Sequence, residues 1–159
     1  MIPALEPQKI WWLQAARASV IIEPNHPTGA VYSTESRRAL LNFADQIGLL
    51  ILADEVYGDL GFDGPVDPYG KLDPDAPIIS FSSLSKAYLA PGWRTGWMAC
   101  GRSPRLDDVC AAVKKLADGR LCSTVPMQYA IADALNGDRS HQPEFRPALK
   151  ARADRTRTG

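Results

Sequence analysis

Apolar and polar positions follow two periods along this chain, and the switches between them mark out its elements. Residues 17–23 (Arg-Ala-Ser-Val-Ile-Ile-Glu) form a short β-prone run that stops at Pro24 and opens into the turn-rich Asn25-His26-Pro27-Thr28-Gly29. Ser33 and Thr34 then offer N-cap oxygens. Leu40, Leu41, Phe43, Ala44 and Ile47 recur at helical spacing before Gly48 stops the helix. Leu49 to Ala53 is an unbroken apolar run, which predicts a strand covered on both faces, with the acidic pair Asp54-Glu55 at its C-terminal end.

Residues 58–77 are rich in Gly, Pro and Asp and are assigned no regular structure. Pro77 to Ser82 predicts another short strand, and Thr95 to Cys100 one more. Beyond Gly101 the period becomes helical. Leu106, Val109, Cys110, Val113 and Leu116 fall on one stripe, and Val125, Met127, Tyr129, Ala130, Ala134 and Leu135 mark a second helix. Strands interleaved with helices imply an α/β fold with a mostly parallel sheet and flanking helices.

In such sheets ligands gather beyond the carboxyl ends of the strands. Asn25 to Gly29, Asp54 to Tyr57 and Ser82 to Lys86 each follow a predicted strand, so three polar clusters are expected at one edge, forming one site.

Composition narrows the partners. With 159 residues, 18 Lys plus Arg and 18 Asp plus Glu, the chain has a core-sized length and no net field to attract nucleic acid or an anionic membrane. Its apolar runs are far shorter than the roughly 20 residues that cross a bilayer, so no membrane span is expected. The stretch Met1 to Pro7 lacks a basic segment followed by an apolar one, which places the protein in the cytoplasm. Cys100, Cys110 and Cys122 are odd in number and lack a C-x-x-C, so neither disulfides nor a metal site is expected, and each cysteine is assigned to the interior as a small hydrophobe.

Pro27-Thr28-Gly29, Asp54-Glu55-Val56-Tyr57 and Ser82-Ser83-Leu84-Ser85-Lys86, followed by Gly92-Trp93-Arg94-Thr95-Gly96-Trp97, resemble consecutive motifs of the class I/II (fold-type I) aminotransferases, in the family's order. The likeness covers residues 15–135 and is nearest the alanine and aspartate aminotransferase group. It implies that residues 1–135 are part of the large domain binding pyridoxal 5′-phosphate, and that residues 136–159 are a helical tail leading toward a small domain. Lys86 is then the residue that forms a Schiff base with the cofactor aldehyde and afterwards moves a proton. Asp54 is implied as the partner of the pyridine nitrogen, Tyr57 as a donor to the cofactor's phenolic oxygen, and Ser83 and Arg94 as phosphate ligands. The implied reaction moves an amino group between an amino acid and a 2-oxo acid, in an enzyme that is a homodimer when complete.

The chain departs from the family pattern in two ways. The family has Asn directly before Pro-Thr-Gly, where this chain has His26; Asn25 stands one position early and faces the other way on an extended backbone. A neutral imidazole can still donate a hydrogen bond, so the position is carried over to His26. The glycine-rich phosphate loop and stacking aromatic that precede this segment in the family, and the carboxylate-binding arginine that follows it, have no counterpart here. Arg146, Arg152, Arg155 and Arg157 are assigned to a solvated helix face. The chain is therefore read as a fragment of a larger enzyme, with an inactive remnant that keeps weak cofactor binding or dimerisation as the alternative. Ser83-Leu84-Ser85-Lys86 also fits the S-x-x-K of serine acyl-enzymes, but that chemistry needs a distant K-T-G strand, and Arg94-Thr95-Gly96 comes too soon to serve.

Overall fold

The computed structural model describes residues 15–119 and 124–158. Four strands form one sheet in the order β1 (Ala18–Ile22), β2 (Leu50–Asp54), β3 (Ile78–Ser83) and β4 (Gly96–Cys100). The first three run parallel, and β4 pairs antiparallel with β3. Helices α1 (Thr34–Ile47), α2 (Tyr69–Leu72), α3 (Asp107–Asp118), α4 (Val125–Asn136) and α5 (His141–Thr158), with short 3-10 turns at Gly58–Leu60, Pro91–Trp93 and Pro104–Leu106, complete the described elements. The α/β architecture with a mostly parallel sheet is the one the patterning predicts. Among the described residues, no helix is long and apolar enough to cross a membrane.

Local chemistry sets the bounds of α1. The Ser33 side chain accepts the Ser36 N–H, and Gly48 closes the helix at φ 76°, a left-handed conformation that glycine enters without a Cβ penalty. The helix covers one face of the sheet, where Leu41 and Ala44 join Ile21, Ile51, Ala53, Tyr69 and Ile78 in a single buried cluster.

Four expectations need correction. β2 is not covered on both faces among the described residues: Ile51 and Ala53 are buried, whereas Leu52 lines an open cleft beside Val20, which is 67% exposed. Residues 58–77 are not structureless, because Glu55 accepts the Tyr69 N–H at 2.6 Å and starts the short α2, whose Tyr69 ring enters the core. The cysteines are not interior hydrophobes. Cys100 is exposed and Cys110 half-buried, two free thiols with sulfurs 2.7 Å apart, and desolvation together with Cys110 pushes the Cys100 thiol up to about 11; Cys122 lies outside the described residues. Finally, Arg146 is half-buried and donates to the Asp59 carbonyl at 3.3 Å, while Arg152, Arg155 and Arg157 are exposed as expected.

Beneath the sheet's C-terminal edge lies a buried polar cluster. Glu23 is 2% exposed and Arg37 4%, and they form an ion pair at 3.1 Å. The Arg37 guanidinium stands 4.3 Å from the centroid of the Tyr69 ring and donates to the Asp67 carbonyl. Glu55 approaches the cluster from β2, and burial raises its carboxyl above the ordinary value despite the Tyr69 N–H that it accepts.

Two outcomes follow from the core and the cluster. Ile51 is fully buried, so Ile51→Ala lowers unfolding free energy by about 3 kcal/mol, whereas the exposed Leu116→Ala changes it by about 0.5 kcal/mol or less; urea unfolding midpoints compare the two. Because the folded chain holds the Glu55 proton more tightly than the unfolded chain does, that stabilisation is complete below the ordinary value of 4.5 and is lost as pH rises through the folded value. Glu55→Gln therefore melts higher than the parent at neutral pH, and the two melting curves converge in acid.

Candidate active site

Parallel pairing places the C-terminal ends of β1, β2 and β3 at one edge. Ile22 pairs with Asp54 and Asp54 with Phe81, and the Glu23 N–H donates to the Asp54 carbonyl at 3.0 Å. Of the six sequence-identified residues, Asp54 and Ser83 are the last residues of β2 and β3, and His26, Tyr57 and Lys86 lie in the loops that leave these ends. Side chains alternate at a strand end, so neighbouring residues divide between two clefts. The first, of about 410 Å³, is lined by His26, Tyr57 and Lys86; the second, of about 390 Å³, by Asp54, Val56 and Ser83.

His26 sits at the tip of a tight loop. Its base is closed by the Asn25 N–H donating to the Ala30 carbonyl (2.9 Å) and by the Gly29 N–H donating to the Asn25 carbonyl (2.7 Å), with Gly29 at φ 71°. Asn25 accepts the Thr28 hydroxyl at 2.8 Å and lines the same cleft as His26, although the sequence expectation has it facing the other way. The imidazole stacks on Tyr57, with ring centroids 5.9 Å apart and planes 23° from parallel. On the same tyrosine, Lys86 Nζ lies 5.3 Å from the ring centroid. His26, Tyr57 and Lys86 are thereby brought together.

Asp54 ends β2 and accepts the Val56 N–H on Oδ1 at 3.2 Å; among the described residues no cation pairs with it. Ser83 ends β3 and accepts the Ser85 N–H at 3.2 Å, the turn that reverses the chain into Lys86. Arg94 is the residue the structure does not bring into either cleft. It is exposed, adopts a left-handed backbone (φ 51°), and its guanidinium donates to the Pro91 carbonyl at 3.0 Å.

Helix α5 also contributes to the site, in a way sequence reasoning missed. Phe145 and Leu149 line the Lys86 cleft, and at the helix start His141 Nε2 lies 2.9 Å from the carbonyl of Ala87, the residue after Lys86. Phe145 and Leu149 stand four apart on one helix face, a signal legible as an apolar pair within a polar tail.

The donor set suits a phosphorylated, carbonyl-bearing pyridine. Across the two clefts it offers, in the first, an amine uncommitted to any carboxylate among the described residues and two ring donors stacked side by side, and in the second a carboxylate with no cation partner among the described residues and a hydroxyl at a strand end.

The model of the family "Aminotransferase class I and II" matches residues 14–159. The chain is 43% identical over 126 residues to the glutamate-pyruvate aminotransferase AlaA of Haemophilus influenzae, covering 78% of this chain and 31% of that protein. It is 39% identical over 129 residues to the alanine aminotransferase of Mycobacterium tuberculosis, covering 80% of this chain and 30% of that one. Among solved structures, the alanine aminotransferase from Pyrococcus furiosus superposes with a TM-score of 0.83 at 34% identity, over 90% of this chain and 37% of that one. The chain thus spans about a third of the length of these relatives. On a family match across nearly all of its length and a fold shared with solved aminotransferases, the chain belongs to the class I and II aminotransferases, enzymes that depend on pyridoxal 5′-phosphate.

Proposed function

We propose that this chain is part of the large, cofactor-binding domain of an aminotransferase that moves an amino group between an amino acid and a 2-oxo acid, with pyridoxal 5′-phosphate attached to Lys86. The observation that carries this reading is the placement of Lys86 Nζ over the Tyr57 ring, with His26 stacked on that ring and Asp54 at the adjoining strand end. Names of the relatives, glutamate-pyruvate and alanine aminotransferase, support small amino and 2-oxo acids as the substrates. When bound, the cofactor supplies a carbonyl carbon and an electron-withdrawing ring.

The chain's own groups supply the rest. The Lys86 amine would hold the cofactor through its carbonyl carbon and, once freed by the substrate amine, would move the proton lost at the substrate Cα to that cofactor carbon, C4′. The Asp54 carboxylate holds a proton on the pyridine nitrogen, which keeps the ring electron-poor. The Tyr57 hydroxyl and the His26 ring donate to the phenolic oxygen. Ser83 gives one hydrogen bond to the phosphate, and Arg94 reaches the phosphate once its guanidinium leaves the Pro91 carbonyl. Residues 136–159 lead from this domain toward a small domain, and the complete enzyme is a homodimer; the third of relatives' length spanned by the chain supports reading it as one part of that enzyme.

An inactive remnant is the second reading, favoured by the open sheet face on which Val20, Phe81 and Met98 are exposed. The test is borohydride trapping of the chain mixed with pyridoxal phosphate, followed by peptide mapping. Label on the Lys86 peptide, lost in Lys86→Ala, is the expected result, and label spread over the other lysines rejects the assignment. A remnant traps the cofactor at Lys86 only weakly and transfers no amino group.

A further inference from the structure

The loop that carries His26 and the loop that carries Tyr57 leave different strands, and one buried cluster runs beneath both. Glu23 is the first residue after β1. Its Oε1 accepts the Tyr32 N–H at 2.7 Å, which closes the His26 loop from below, and its Oε2 lies 3.1 Å from Arg37 Nε. Arg37, on α1, faces the Tyr69 ring at 4.3 Å. Tyr69 in turn donates its N–H to Glu55, the residue between Asp54 and the Val56-Tyr57 turn. Glu23, Arg37, Tyr69 and Glu55 therefore form a continuous path from one loop to the other, the first three buried and Glu55 half-buried.

We propose that Glu23 and Arg37 are positioning residues of the cofactor site: their buried ion pair fixes the loop of residues 24–32 so that the His26 ring stacks on Tyr57 beside Lys86. Their role in cofactor binding rests on the proposed function above; their role in placing His26 does not. A guanidinium suits this position. Its planar fork reaches Glu23 and the Asp67 carbonyl at once while its face covers an aromatic ring, a combination a lysine ammonium cannot reproduce. Charge in this buried setting is held by a specific partner, so neutralising Glu23 changes the geometry of the loop it closes as well as its energy.

The chain contains two histidines, His26 and His141, and this makes the test direct. In a proton–carbon NMR spectrum of the chain without cofactor, the His26 ring signal carries the ring-current displacement from Tyr57, and His141, which is bonded to the Ala87 carbonyl, is an internal reference. Glu23→Gln, matched in size, and the charge-free double variant Glu23→Leu with Arg37→Met both lose the His26 displacement and leave His141 in place. Arg37→Lys, which keeps the charge, retains part of it. Folding is followed by circular dichroism on the same samples. An unmoved His26 signal in folded Glu23→Gln overturns the proposal. So does failure of both Glu23→Gln and the double variant to fold, since the pair is then a component of the core and no positioning device.

A second arm measures pyridoxal phosphate binding by its absorbance band, where Glu23→Gln weakens binding about tenfold or more, the usual effect of removing a partner that orients a ligand-binding group. If the His26 signal moves and the parent chain binds no pyridoxal phosphate, the positioning role stands and the cofactor assignment fails.

Discussion

Parallel hydrogen bonding among three strands is the constraint on which this structure depends. The register that sets Ile22 beside Asp54 and Asp54 beside Phe81 brings three loops, distant in sequence, to one edge of the sheet. The hydrogen bonds that fix the register carry no chemistry themselves. They decide, however, that Asp54, Ser83 and the turn into Lys86 share a neighbourhood, and that His26 arrives from β1 at the height of Tyr57. A slip by one residue turns every inward side chain outward, which would exchange the fully buried Ile51 for Leu52 and Asp54 for Glu55.

That last pair shows how one strand end serves two purposes. Asp54 and Glu55 are consecutive carboxylates, and strand alternation sends them to opposite sides. Asp54 lines the open cleft beside Ser83 with no cation of the described residues to neutralise it. Glu55 turns to the protein interior, where it accepts the Tyr69 N–H and shares the neighbourhood of Arg37 with Glu23. The first faces the open cleft, and the second joins the polar cluster beneath it.

Features set by neighbours in sequence were legible from sequence, and features set by meetings in space were not. The cap at Ser33, the stop at Gly48 and the strands β1 to β4 are local, and the motifs drew attention to His26, Asp54, Tyr57, Ser83 and Lys86 at the edge where the fold gathers them. The antiparallel direction of β4 has no signature in its apolar pattern. Apolar spacing in α3 and α4 identified a face without saying what covers it, and Leu116 and Tyr129 stand 75% and 78% exposed. The burial of Glu23 and Arg37 has no signature in sequence, because it depends on α1 lying across the end of β1. Cys100 and Cys110 are ten residues apart in the chain and in contact in the fold, which their spacing alone does not reveal.

The central proposal is that the two clefts at the edge set by β1, β2 and β3 together hold one cofactor attached to Lys86, and a crystal structure of the chain grown with pyridoxal phosphate tests it most directly. The account predicts electron density continuous from Lys86 Nζ into the cofactor, with the Asp54 carboxylate within hydrogen-bonding distance of the pyridine nitrogen and the His26 and Tyr57 rings beside the phenolic oxygen. Density for the cofactor away from this edge, or a ring nitrogen turned away from Asp54, would contradict it.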